Sequence, residues 1–284
     1  MPPLLELEHV TLSFRGLTAL SSVGFDLSEG EVAALIGPNG AGKTSLYNVI
    51  CGFYRPQRGT VRWRGRDVTG TPPHMVARLG IGRSFQNIEL FKNLTCLENL
   101  LLGRHLHVRA NLFGAMFATR GWARDEVAQR RRAEELMDLL DLQAYRDQRV
   151  GALPYGVQKL IEVARALAAE PTLLLLDEPT AGMTVEEKDD MMVTLLRLRK
   201  ELNLTMLVVE HDLRVVSRLA DRVLVLDHGT LIADGTPAQV QDHPEVVRAY
   251  LGGSKLAGAD ADDAQAAVPE RAVPAASDPE EAAR

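Results

Sequence analysis

Cysteine is scarce in this chain. Its 284 residues include only Cys51 and Cys96. Neither stands in a CxxC pair, so a disulfide framework and a zinc ribbon have no support. Both read as small apolar residues of packed helices. Long apolar runs are also missing. Leu173 to Leu176 falls far short of the roughly 18 residues that indicate a membrane span. The N-terminus lacks the basic stretch and apolar core of a secretion signal, since Met1-Pro2-Pro3 is soon followed by Glu6 and Glu8. The expected compartment is the cytoplasm. Nor is there an excess of positive charge. The net charge of −6 speaks against nucleic-acid binding through a broad basic face and against electrostatic adhesion to anionic lipid. If such a chain works at a membrane, a protein partner is needed to hold it there.

What is present matches an ordinary globular protein, with 46% hydrophobic and 25% charged residues. The length suffices for one large domain or two small ones. Glu6 to Phe14, Leu20 to Leu27, Glu31 to Ile36 and Thr60 to Arg64 read as strands, with Leu7, His9 and Val10 near apolar positions of the first. They suggest an accessory antiparallel sheet. Leu173 to Leu176, Thr205 to Val209 and Arg222 to Leu226 are compact apolar runs between helical patterns, which predicts a buried parallel sheet flanked by helices. Between these halves, about 91 to 158, the chain reads as helical. Thr95 to Glu98 spells a capping box, Leu97, Leu100 and Leu101 form an apolar stripe, and a further helix is expected from Arg124 to Leu140. The last thirty residues carry seven acids and three bases among many alanines and prolines, the composition of a disordered acidic tail.

Gly37-Pro38-Asn39-Gly40-Ala41-Gly42-Lys43-Thr44-Ser45 carries the spacing GxxxxGK[ST] directly after an apolar strand. Its glycines permit unusual backbone angles and close approach of phosphate. Successive amides form an anion nest backed by a helix N-terminus. Lys43 can reach the β- and γ-phosphates of ATP, and Thr44 can hold Mg²⁺. The following helix places Leu46, Val49, Ile50 and Phe53 on one face, and Gly52 is a helix stop.

Downstream, Leu173 to Leu176 ends in Asp177-Glu178-Pro179-Thr180. Asp177 is placed to support the Mg²⁺ shell, and Glu178 to act as general base or to orient the attacking water. A turn carrying Asp-Glu-Pro can also be a plain helix cap, but the upstream phosphate loop favours chemistry. His211 follows another apolar strand and can bond the γ-phosphate and the water. Gln86 can sense γ-phosphate, Mg²⁺ and water through its amide.

In this order, GPNGAGKT, Gln86, LPYGVQ at Leu153 to Gln158, LLLLDEP and His211 resemble the ATP-binding-cassette (ABC) superfamily over roughly 4–252, leaving 253–284 as the tail. The resemblance implies an α/β phosphate-loop nucleotidase with a RecA-like parallel-sheet core, a small antiparallel subdomain and an inserted helical subdomain. It also implies two cassettes in head-to-tail contact, each ATP held between one phosphate loop and the opposite signature segment, here Leu153, Pro154, Tyr155 and Gly156. Phe14 would stack on adenine. SFQNIELFKNLTCLENLLLG, the long insertion from Leu101 to Trp122, LPYGVQ and PEVVRAYLG look like the branched-chain amino-acid importer subgroup, more particularly its longer, G-type ATPase subunit. Importers of urea, amides and aromatic acids share much of this pattern.

Two departures stand out. Pro154 and Tyr155 replace Ser and Gly of the commonest signature, so Pro154 offers no hydroxyl to the opposite γ-phosphate. Thr184 stands where the usual aspartate of the loop after the carboxylates would be. The resemblance further implies a permease whose short cytoplasmic helix docks near Phe85, Leu90 and Phe91, an extracytoplasmic solute-binding protein acting indirectly, and peripheral attachment at the cytoplasmic face. The second cassette is a related shorter subunit in preference to a copy of this chain. The basic and apolar stretch from Arg104 to Arg132 reads as a solvated helical pair, with contact to permease or lipid as the alternative. His105 and His107 form a weak metal pattern. Two competing functions are a soluble, non-transport cassette ATPase, which would normally add a coiled coil or second cassette, and a regulatory module, which would more naturally lack Lys43 or Glu178.

Overall fold

The structure, a computed structural model, describes residues 2–84, 89–107 and 120–257. The chain opens with β1 (Leu5–Phe14) and β2 (Leu17–Leu27), joined at Arg15 and Gly16, both at positive φ. That tight turn explains why β2 starts earlier than the apolar pattern indicates: pairing begins at once with Phe14 opposite Leu17. His9 does not lie on the apolar face. Its φ is 48° and the β1–β2 register shifts between Leu7 and Val10, the mark of a bulge that turns its side chain outward.

β3 (Val32–Ile36) runs into the glycine-rich loop and α1 (Lys43–Ile50). Gly52, at φ 76°, stops the helix. Phe53 therefore falls beyond the helical period and is exposed, while Tyr47 is fully buried instead. β4 (Arg58–Trp63) and β5 (Arg66–Asp67) complete an antiparallel sheet of order β2-β1-β4-β5. The short α2 (Pro73–Arg78) and the three-residue β6 (Ile81–Arg83) follow.

The helical region contains α3 (Cys96–Gly103) and α4 (Arg120–Leu139). Thr95 and Glu98 close the expected capping box. Arg104 is not a surface residue as its basic neighbourhood suggested. It is buried, donating to Gln129 Oε1, the Ala168 carbonyl and Glu170. His105 and His107 bond the carbonyls of Leu102 and Ala169, and no cluster of three metal-ligating side chains occurs among the described residues. Residues 108–119, with Leu112, Phe113, Met116 and Phe117, lie outside the described residues.

The second half alternates α5 (Tyr155–Leu167), β7 (Leu173–Asp177), α6 (Val185–Leu202), β8 (Thr205–Val209), α7 (Leu213–Leu219), β9 (Arg222–Asp227), β10 (Thr230–Gly235), α8 (Pro237–Gln241) and α9 (Pro244–Ala257). The main sheet has the order β10-β9-β3-β8-β7-β6 and is parallel except for β10 on the edge. Because side chains alternate across a strand, fully apolar strands serve two cores at once. Ala33, Leu35, Leu173, Leu175, Leu207 and Val209 face α1 and the antiparallel sheet. Leu174, Leu176, Met206 and Val208 face the helical region through α3, α4, α5 and α6. The phosphate loop and the ends of β7 and β8 consequently emerge together at the carboxyl edge of a sheet clamped on both sides. α9 continues to Ala257, into the stretch assigned by composition to the tail; residues 258–284 lie outside the described residues.

Candidate functional site

The loop from Gly37 to Gly42 is shaped by backbone crowding. A Cβ on Gly37 would sit 2.0 Å from the Leu226 carbonyl oxygen, and one on Gly42, at φ 105°, would sit 2.5 Å from that of Ala19. The loop is thus pinned between β2 and the β9–β10 turn, where the Gly229 amide also donates to the Ala41 carbonyl at 2.9 Å. Gly42 is the N-cap of α1 and contributes no side-chain cap, so the first amides of the helix face outward as an anion site. Lys43 is buried with its ammonium donating to the carbonyls of Gly37 at 2.7 Å and Pro38 at 2.9 Å. Burial pulls its pKa down, while Glu178 and Asp177 oppose that shift.

A cavity of about 500 Å³ opens over this loop, lined by Phe14, Asn39 to Ser45 and Glu178. The Phe14 ring is partly exposed and meets Tyr54 edge-on, with centroids 5.1 Å apart, which leaves a face for stacking. Leu153, Pro154, Tyr155 and Gly156 do not line the cavity. They form their own turn at the start of α5, with Pro154 as N-cap and the Tyr155 hydroxyl donating to the Ala181 carbonyl at 3.2 Å. Gln86 and Phe85 lie outside the described residues. Leu90 is buried and Phe91 exposed.

Asp177 is buried at the end of β7, opposite Val209 of β8. Desolvation raises its pKa, against the opposing influence of Arg83. Glu178 follows in the left-handed region, φ 51°, an unfavourable conformation for a residue with a side chain. It is held there by its amide bond to the Val209 carbonyl at 3.0 Å. That turn directs the side chain toward His211, whose Nε2 hydrogen-bonds Glu178 Oε1.

Motif reading missed three residues of this neighbourhood. Buried Glu210 accepts from the Thr180 amide at 3.1 Å, the Thr180 hydroxyl at 2.7 Å and the His211 amide at 3.2 Å, tying the two loops that carry Glu178 and His211 together. Arg83 reaches Asp177. His228 also lines the cavity. Neither the acid beside His211 nor Arg83 has a motif around it in the sequence.

The residues fit a nucleotide and its cation. Thr44 and Asp177 offer the hard oxygen donors that Mg²⁺ prefers. Gly40 has nothing within 4 Å of the place a Cβ would take, so a phosphate can approach the backbone closely.

A phosphate loop and strand-end carboxylates at the carboxyl edge of a parallel sheet define a phosphate-loop nucleotidase. The comparisons place it more narrowly. The pattern of the ABC transporter family matches residues 20–181, and that of the branched-chain amino acid ATP-binding cassette transporter matches residues 230–255. The high-affinity branched-chain amino acid transport ATP-binding protein BraF of Pseudomonas aeruginosa is 40% identical over 250 residues, 88% of this chain and 98% of that protein. LivG of Salmonella typhimurium, described in the same terms, is 38% identical over the same shares. A crystal structure of the ADP conformation of an ATP-binding cassette from an ABC transporter superposes with a TM-score of 0.78 at 32% identity, over 89% of this chain and 100% of that one. The chain belongs to the ABC transporter family, as an ATP-binding subunit with ATPase activity.

Proposed function

We propose that this chain powers an importer for branched-chain amino acids or related small polar solutes. The observation that carries the substrate class is the match of residues 230–255 to the branched-chain pattern, supported by similarity to BraF and LivG along nearly their whole length. In this reading Phe14 stacks on adenine, and Gly37, Pro38, Asn39, Gly40, Ala41 and Gly42 shape the phosphate cradle. The amides at the start of α1, including Thr44 and Ser45, face the phosphates. Lys43 exchanges its two carbonyl bonds for β- and γ-phosphate oxygens. Thr44, Asp177 and Gln86 hold Mg²⁺, which when bound neutralises phosphate charge. Glu178 orients the attacking water and draws its proton, and His211 keeps the Glu178 carboxylate aimed at it.

Because the signature residues stand outside the cavity of their own chain, they serve the ATP of a second cassette, a related shorter subunit in preference to a second copy. Pro154 brings no hydroxyl, so the Gly156 amide and the N-terminus of α5 contact the opposite phosphate. Closing and release of the pair drive permease subunits, fed by an extracytoplasmic solute-binding protein. The chain sits peripherally on the cytoplasmic face, consistent with the absence of any helix long and apolar enough to cross a membrane among the described residues. Residues 4–252 form the cassette, with 91–158 as its helical insert.

Uptake into vesicles containing the co-expressed permease, second cassette and binding protein tests the substrate class. ATP-dependent uptake of leucine, isoleucine or valine is expected. Uptake of urea or an amide with none of these three transported would narrow the reading to the related small polar solutes, and uptake of no such solute would contradict it.

A further inference from the structure

Arg83 ends β6 with a side chain only 9% exposed. A guanidinium so placed is costly unless its charge and donors are met. Here Nη1 donates to Asn48 Oδ1 at 2.7 Å and Nη2 to Asp177 Oδ2 at 3.3 Å, while the guanidinium carbon lies 5.5 Å from the centroid of the Tyr47 ring. Tyr47 and Asn48 belong to α1, the helix launched by the phosphate loop. Asp177 closes β7. The neighbouring Ser84 adds a second grip: its amide donates to the Leu175 carbonyl at 2.9 Å, and its hydroxyl accepts from the Asp177 amide at 3.4 Å. Arg83 and Ser84, at and just beyond the end of the edge strand, therefore hold Asp177 by side chain and by main chain, and Arg83 joins it to the helix that bears Thr44.

We propose that Arg83 is a positioning residue for the magnesium site. It fixes the Asp177 carboxylate by one oxygen and ties it through Asn48 and Tyr47 to α1, so that Thr44 and Asp177 keep a constant separation. The inference rests on the assignment of Thr44 and Asp177 to Mg²⁺. A forked, planar guanidinium is suited to this because it bonds two oxygens at once while lying over an aromatic ring; a lysine ammonium is a point charge and satisfies one geometry at a time. Groups that orient a metal-binding carboxylate from behind typically change metal affinity by about 10- to 100-fold.

The test uses the full chain and a fluorescent ATP analogue, titrated without metal and then with Mg²⁺, in the wild type, Arg83→Lys, Arg83→Met and Asp177→Asn. Thermal melts confirm folding, and Arg83→Lys decides the matter should Arg83→Met fail to fold. Arg83→Lys and Arg83→Met are expected to bind the analogue without metal within about twofold of wild type, while the Mg²⁺ concentration that half-saturates the metal effect rises about 10- to 100-fold. Loss of metal-free binding as large as the loss with Mg²⁺ would make Arg83 a packing residue and overturn the proposal. So would an unchanged Mg²⁺ midpoint in the Arg83 variants alongside a lost metal effect in Asp177→Asn, which would leave the assignment of Asp177 standing. A wild-type Mg²⁺ response in Asp177→Asn would remove that assignment, and the role of Arg83 with it.

Discussion

At the scale of single residues, the site is held by groups that do not themselves meet the nucleotide in our reading. Glu178 occupies a left-handed backbone conformation that costs about 1–3 kcal/mol, so the surrounding loops must over-determine it. The Glu178 amide bonds the Val209 carbonyl, and Glu210 ties the flanking loops together. Its carboxylate collects three donors from the two loops, and each donor left unsatisfied in a buried place costs about 1–3 kcal/mol. Glu210→Ala is therefore expected to lose at least about 2 kcal/mol of stability, seen as a lower urea midpoint. Glu210→Gln, which keeps an acceptor oxygen, loses less than half of that. Equal losses in both variants would show that the charge, and not the hydrogen bonding, is what matters. Lys43, Thr44 and Asp177 could be singled out as candidates from sequence because each sits in a short pattern that is complete within a few residues, and His211 because of its place in the order of motifs. Arg83 and Glu210 could not, because the partners that give them meaning are 94 and 30 residues away along the chain and are brought close only by the order of strands in the sheet.

At the scale of elements, the departures from the commonest cassette motifs acquire local explanations. Thr184 begins α6 as its N-cap, accepting from the Glu187 amide while Glu187 returns the bond to the Thr184 amide at 2.9 Å. Threonine at the aspartate position thus serves helix initiation, which an aspartate also serves. Thr184→Ala is expected to lose about 1 kcal/mol and to melt about 2–4 °C lower, whereas Thr184→Asp holds close to the wild-type melting temperature. A melt of Thr184→Ala indistinguishable from wild type would deny the cap its role. Tyr155, the other departure, lies against Gly182 and bonds the Ala181 carbonyl, so the signature turn and the loop after the carboxylates are in contact within one chain. Long apolar strands and the Thr95 capping box were legible from pattern alone. The three-residue β6 and the half-exposed edge strand β10 were not, since a run so short or so weakly alternating carries no period. The bulge at His9 escaped for a related reason: an inserted residue breaks the alternation that strand reading depends on.

At the scale of the whole molecule, the architecture separates the glycine-rich loop from the signature turn. The main sheet is packed from both faces, with α1 and the antiparallel sheet on one and the helical region on the other, so the carboxyl edge that carries the phosphate loop, Asp177, Glu178 and His211 is rigidly backed. The signature turn belongs to the helical region and stands away from the chain's own cavity. In the proposed reading such a cassette completes its ATP site against a second one, which makes turnover responsive to whatever brings the two together. Composition and motif order were enough to reach this class because the ABC pattern is distributed over most of the chain. The direction of Glu178 needed the fold, whereas the pairing of one phosphate loop with an opposite signature segment is what the family resemblance implies.

The most direct test of the account is ATP turnover by the wild type and Glu178→Gln, each alone and with the co-expressed permease and second cassette. Wild-type turnover that changes on assembly, with a fall of at least about 100-fold in Glu178→Gln and ATP binding retained, is the predicted result. Turnover indifferent to Glu178 would contradict the assigned chemistry, and turnover indifferent to the permease would contradict the transport engine.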